Sequence, residues 1–168
     1  MEQGLTPPRV LIAGLGNLLM GDDGVGIHAA RALMADPPPG VLVIEIGTAV
    51  LHAVDEIERA PAIVALDAID AGEPPGTVMR LTLPAAGRAG RLPSLHDLTL
   101  ADLLRTLPGA GDRPVVILGI QPALIEPGLT LSAPVREALP RLVAAARQAA
   151  LLLSGEPAGG SARGAAPA

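Results

Sequence analysis

Cysteine is absent from the 168 residues, which excludes disulfides, thiolate nucleophiles and cysteine-built zinc or iron–sulfur centres. Phenylalanine, tyrosine and tryptophan are absent as well. The core must therefore be aliphatic, and no aromatic platform exists on which the bases of a single strand could stack. Lysine is missing too, so all twelve basic residues are arginine. Set against 17 acidic residues they leave a formal charge of −5, spread without long runs, which repels a phosphate backbone. Nucleic acid is not an expected partner. No apolar run has the length of a membrane span: Val10–Leu15 is far too short, and Glu2 and Pro7-Pro8 precede it where a signal peptide would not carry them. These absences predict a cytoplasmic chain without membrane insertion. A chain of this length buries about 70% of the surface its unfolded form exposes, so it needs no covalent staples.

What remains is a series of short apolar runs separated by Gly, Pro and Asp. Val10–Leu15 is apolar on both alternating faces, as is Ala62–Asp67, which stops on an acid. Both read as fully buried strands. Val41–Ile46 and Val115–Gly119 read as further strands. Thr77–Leu83 alternates polar and apolar residues and reads as a half-exposed edge. Helical spacing covers Gly24–Met34, Ala49–Ile57, Leu98–Leu107 and Ser132–Leu153. Ser132 is the expected cap of the last helix, Pro134 sits in its first turn, and Pro140 is expected to kink it or delay its start. The residues from Ser154 onward have no apolar period and read as a disordered tail.

Strands alternating with helices predict one α/β domain over residues 1–153, with a tail over 154–168. The expected architecture is a three-layer sandwich: a mostly parallel, twisted, five-stranded sheet covered by helices on both faces. In such folds the site lies beyond the carboxyl ends of the strands. Three polar clusters fall there: Gly21-Asp22-Asp23-Gly24, Asp67-Ala68-Ile69-Asp70 and Ser94-Leu95-His96-Asp97. Two carboxylates and an imidazole converging on one point would make a three-ligand site for nickel, zinc, manganese or cobalt. Three protein ligands leave positions open for water or substrate, which is the catalytic pattern. Each residue also has an ordinary reading: Asp22 or Asp23 as a helix cap, Asp67 as a turn former, His96 as the first residue of a helical turn. His28 and His52 lie within helical patterns and read as partly exposed helix residues.

The string from Gly14 to Gly26, Gly-Leu-Gly-Asn-Leu-Leu-Met-Gly-Asp-Asp-Gly-Val-Gly, resembles the N-terminal signature of hydrogenase maturation endopeptidases. Asp67-Ala68-Ile69-Asp70-Ala71-Gly72, Pro75-Gly76-Thr77, Ser94-Leu95-His96-Asp97 and Leu118-Gly119-Ile120-Gln121-Pro122 follow in the family's order. So do Glu126-Pro127 and Leu131-Ser132, and the likeness runs from about Val10 to Leu153. The Gly21-Asp22-Asp23-Gly24 form looks most like the branch serving formate-hydrogenlyase-type enzymes. The resemblance implies a peptidase, aspartic-type or metal-assisted, that removes a C-terminal extension from the precursor of a [NiFe]-hydrogenase large subunit. It implies that Asp23, Asp67 and His96 act both as metal contacts and as the catalytic group. It further implies that the metal is nickel supplied by the precursor, other divalent cations being able to substitute in crystals, and that the chain is a monomer. Many members carry Glu where this chain has Asp23, and the shorter side chain bears on reach. The family pattern leaves two mechanisms open: a metal-bound water as nucleophile, or an Asp as general base on water. Asp70 is a candidate orienting residue for this site, with a turn role as its equal alternative.

Three rival readings carry less. Gly14-Leu15-Gly16 begins a dinucleotide fingerprint, with Glu45 as its ribose-binding acid. However, its third glycine position is Leu19, and Asp22 and Asp23 would repel a pyrophosphate. A phosphorylatable receiver domain would use a lysine after the fifth strand, and the chain has none. A nickel-sensing chaperone that binds the precursor without cutting it would use the same ligands as the peptidase.

Overall fold

A computed structural model describes residues 9–82 and 113–155. Five strands form one sheet: β1 (Val10–Leu15), β2 (Val41–Gly47), β3 (Ile63–Ala68), β4 (Val78–Thr82) and β5 (Val115–Ile120), in the order β2-β1-β3-β5-β4. The pairs β1–β2, β1–β3 and β3–β5 are parallel, whereas β4 runs antiparallel to β5 at the edge. The edge position expected for residues 77–83 is where β4 lies. Every residue of β1, β3 and β5 is buried, because helices cover both faces of these central strands.

Alternation along the strands sorts their side chains into two apolar layers. Val10 and Ile12 of β1 and Val64 and Leu66 of β3 pack with helix α1 (Val25–Ala35) and the long helix α3 (Ala133–Ser154). Leu11 and Leu15, with Ile63 and Ala65, pack on the opposite face against Val50, Ala53 and Ile57. Those last residues belong to a 3-10 turn (Val50–Ala53) that runs into the short helix α2 (Val54–Arg59). Each fully buried Leu or Ile in these layers contributes roughly 1.5–3 kcal/mol, and together they replace the missing aromatics.

The structure modifies several sequence expectations. Residues 49–57, read as one helix, are divided between the 3-10 turn and α2, with a change of geometry at Ala53. The long helix begins at Ala133 and continues through Pro140, so that proline does not delay its start. Ser132 occupies the N-cap position but makes no side-chain cap bond; its hydroxyl has another partner, described below. Strand β2, the other edge, is only partly buried. The helix expected at Leu98–Leu107, residue His96 and the expected tail beyond residue 155 lie outside the described residues.

Helix α1 packs closely back onto β1 and β3 after the connection through residues 16–24, and glycine makes this possible. A Cβ at Gly26 would lie 2.1 Å from the Leu66 carbonyl oxygen and 2.5 Å from that of Leu15. The first turn of α1 therefore rests directly on the backbone of β1 and β3. This is the point where the sheet order reverses: the chain leaves β1 for β2 on one side, then returns to β3 on the other. Connections diverging in this way open a crevice at the strands' carboxyl ends.

Candidate functional site

Asp23 and Asp67 border that crevice. A 3-10 turn, Gly21–Gly24, carries Asp22 and Asp23 from the end of β1 into α1, and it packs against β3. Asp67 is the penultimate residue of β3 and is wholly buried. Its Oδ1 accepts the backbone N–H of Ala68 at 2.8 Å. Asp23 is also buried, and its Oδ2 accepts the backbone N–H of Asn17 at 2.9 Å. Charged carboxylates taken out of water need such donors, because an unsatisfied one would be costly.

Gly16 lies against both acidic residues. Its φ of +111° is open to glycine and strained for other residues. A Cβ there would fall 1.9 Å from the Asp23 carbonyl oxygen and 3.7 Å from Asp67 Oδ1. Of the glycine pair read as the start of a dinucleotide fingerprint, Gly16 serves close packing around the acids, while Gly14 serves the contact with α1, where a Cβ would lie 2.6 Å from Ala30 Cβ.

Asp22, the other half of the acidic pair, has a different set of partners. It is 1% exposed, and its carboxylate accepts from Ala123 N–H at 2.9 Å, Leu124 N–H at 3.2 Å, Ser132 N–H at 2.7 Å and Ser132 Oγ at 2.8 Å. The expected cap of its own helix is replaced by a brace across the chain, to the connection between β5 and α3. Adjacent acids in one 3-10 turn therefore have separate tasks.

Asp70 is exposed; its Oδ1 accepts from Gln121 Nε2 at 3.0 Å and from Gly72 N–H at 3.4 Å. It belongs to the architecture of the loop after β3. Gln121, which in the sequence stands only within the longer Leu118–Pro122 motif, has the larger role in that loop. It is 6% exposed and ties that loop together through both ends of its amide. The signal for it was a lone amide side chain directly after a buried strand, where a polar group requires partners.

The remaining histidines lie elsewhere. His52 is exposed in the 3-10 turn before α2. His28 is partly buried on α1, near the Arg31–Glu45 ion pair of 2.9 Å. Burial and the Arg31 charge lower its pKa from the usual histidine value, against an opposing pull from Glu45. Among the described residues no cluster of three or more His, Asp or Glu is placed to hold a metal; His96 lies outside them.

The fold and the rim acids define a doubly wound α/β domain with a buried carboxylate pair at its switch point. The family model for hydrogenase maturation proteases matches residues 27–149. The chain belongs to that family. It is 34% identical over 143 residues to the hydrogenase expression/formation protein HoxM of Azotobacter vinelandii, covering 80% of this chain and 69% of that one. It is 32% identical over 125 residues to HupD of Thiocapsa roseopersicina, a hydrogenase expression/formation protein, covering 71% of this chain and 57% of the relative's length. The structure resembles the hydrogenase maturating endopeptidase HybD from E. coli with a TM-score of 0.73 and 27% identity, over 88% of this chain and 94% of that one. Among the described residues no helix is long and apolar enough to cross a membrane.

Proposed function

We propose that the chain is an endopeptidase that recognises nickel within the precursor of a hydrogenase large subunit and cleaves off its C-terminal extension. The observation that carries this reading is the burial of Asp23 and Asp67, both close to Gly16, at the carboxyl rim of β1 and β3, in a member of the maturation protease family. Two carboxylates supply hard oxygen donors, and the imidazole of His96 is the proposed nitrogen donor. That donor set suits a borderline divalent ion such as nickel. The nickel belongs to the substrate, so the acids read whether the precursor is loaded.

Peptide hydrolysis needs a water activated next to the scissile carbonyl. A carboxylate within hydrogen-bond reach of that water serves as general base, and a nearby cation lowers the water's pKa. Burial strengthens both effects, because the local dielectric is low. The cytoplasm, where precursors are assembled with their metal, is the proposed location, and the monomer the proposed active form.

The test is incubation of the purified chain with nickel-loaded and nickel-free precursor, followed by intact-mass measurement. The expected result is loss of a C-terminal peptide from the loaded form alone. Binding of loaded precursor with no change in mass would replace this reading with that of a non-cleaving chaperone.

A further inference from the structure

The loops carrying Asp23 and Asp67 are fastened to the same piece of chain. Gln121, directly after β5, accepts the N–H groups of Ala71 at 2.9 Å and Glu73 at 3.1 Å through Oε1. Its Nε2 donates to Asp70 Oδ1 at 3.0 Å and to the Pro122 carbonyl at 3.4 Å. The Gln121 backbone joins the same loop, its N–H donating to Thr77 O and its carbonyl accepting from Gly76 N–H, both at 2.9 Å. The loop after Asp67 is thus held at five points between residues 70 and 77.

Two residues further on, the chain changes partners. Ala123 and Leu124 donate to the Asp22 carboxylate, and Ser132 closes the grip with its N–H and hydroxyl. Backbone bonds reinforce this contact: Gly128 N–H donates to Leu19 O, and Gly21 N–H donates to Gly128 O, both at 2.9 Å. The residue gripped is the immediate neighbour of Asp23. Residues 121–132 therefore form one strap bonded on one side to the Asp23 turn and on the other to the Asp67 loop.

We propose that Asp22 and Gln121 are paired positioning residues for the peptidase reaction. Through the strap they set the relative placement of the Asp23 and Asp67 carboxylates, so that disturbing either end displaces both acids. The inference rests on the function proposed above. Its chemistry lies in the donor sets. Asp22 accepts from the N–H groups of Ala123, Leu124 and Ser132 and from the Ser132 hydroxyl, so an amide at that position would turn an NH2 group toward an N–H donor. Gln121 needs both acceptor and donor ends of its amide, so neither Glu nor Met reproduces it.

The experiment uses the full chain with Asp22→Asn, Gln121→Met and the double variant. Amide hydrogen exchange by NMR reads the placement of each acid directly: the Asn17 N–H reports Asp23, and the Ala68 N–H reports Asp67. Each single variant is expected to speed exchange at both reporters by about tenfold or more, including the reporter at the far end. In precursor cleavage, measured well below each variant's melting temperature, kcat should fall about tenfold or more while KM changes by less than about threefold. The double variant should fall no more than about twofold below the worse single, since one shared strap is already lost. Exchange changes confined to the near reporter, or multiplicative losses in kcat, would overturn the proposal. A purely architectural role would lower the melting temperature without this kcat–KM split. If Asp22→Asn does not fold, Ser132→Ala removes a single donor and takes its place with the same readouts. A wild-type chain that leaves loaded precursor intact would defeat the peptidase reading, while the exchange data would still decide the positioning claim.

Discussion

The Asp22 carboxylate accepts both the N–H and the hydroxyl of Ser132, at 2.7 and 2.8 Å, across 110 positions of sequence. A single buried acid thereby fixes the start of α3 to the turn that opens α1. Removing only the hydroxyl with Ser132→Ala should cost about 1.5–3 kcal/mol, the range for a hydrogen bond to a charged group. Urea denaturation at neutral pH measures it. An unchanged midpoint would show that the backbone donors alone hold Asp22.

Replacing Asp23, Asp67 or His96 with Ala should abolish processing of nickel-loaded precursor while circular dichroism still reports a folded chain. The expected loss is about 10³-fold or more, because an absent base or ligand leaves the water unactivated. Complete processing by Asp67→Ala would remove that acid from the site.

Gly16→Ala should destabilise the protein by about 2–5 kcal/mol, combining a strained backbone with overpacking. The added carbon would sit 1.9 Å from the Asp23 carbonyl oxygen at a φ of +111°. A melting temperature within a degree or two of wild type would mean that the Asn17–Asp23 turn yields easily.

His28 predicts a pH dependence of stability. Its folded pKa is lowered from 6.5, first by burial and then by Arg31. Between the folded value and 6.5 the unfolded chain binds more protons, so unfolding free energy rises with pH across that window. Stability is accordingly full above about pH 6.5 and declines as pH falls through the window. Comparing wild type with His28→Gln by denaturant titration at several pH values isolates the effect; parallel curves for the two proteins would exclude it.

Much of the architecture was legible in the chain itself. Val10–Leu15 and the run ending at Asp67 are apolar on both faces, and only a sheet covered on two sides satisfies that pattern. The alternation at residues 77–83 marked an edge, where β4 lies. The division of residues 49–57 was not legible, since a 3-10 turn and an α-helix share nearly the same apolar spacing over so few residues. Nor was the true partner of Ser132, because its position before a helix suggested the local bond that this serine does not make.

The sequence by itself determined the aliphatic core, the order of strands and helices, and the acids that end or follow β1 and β3, because periodicity and residue chemistry are local properties. Tertiary structure alone decided that Asp22 braces the fold. It also decided that Gln121 gathers the loop after Asp67. Both outcomes depend on donors 48 to 110 residues away in sequence, and a hydrogen bond between distant segments leaves no periodic trace in either of them.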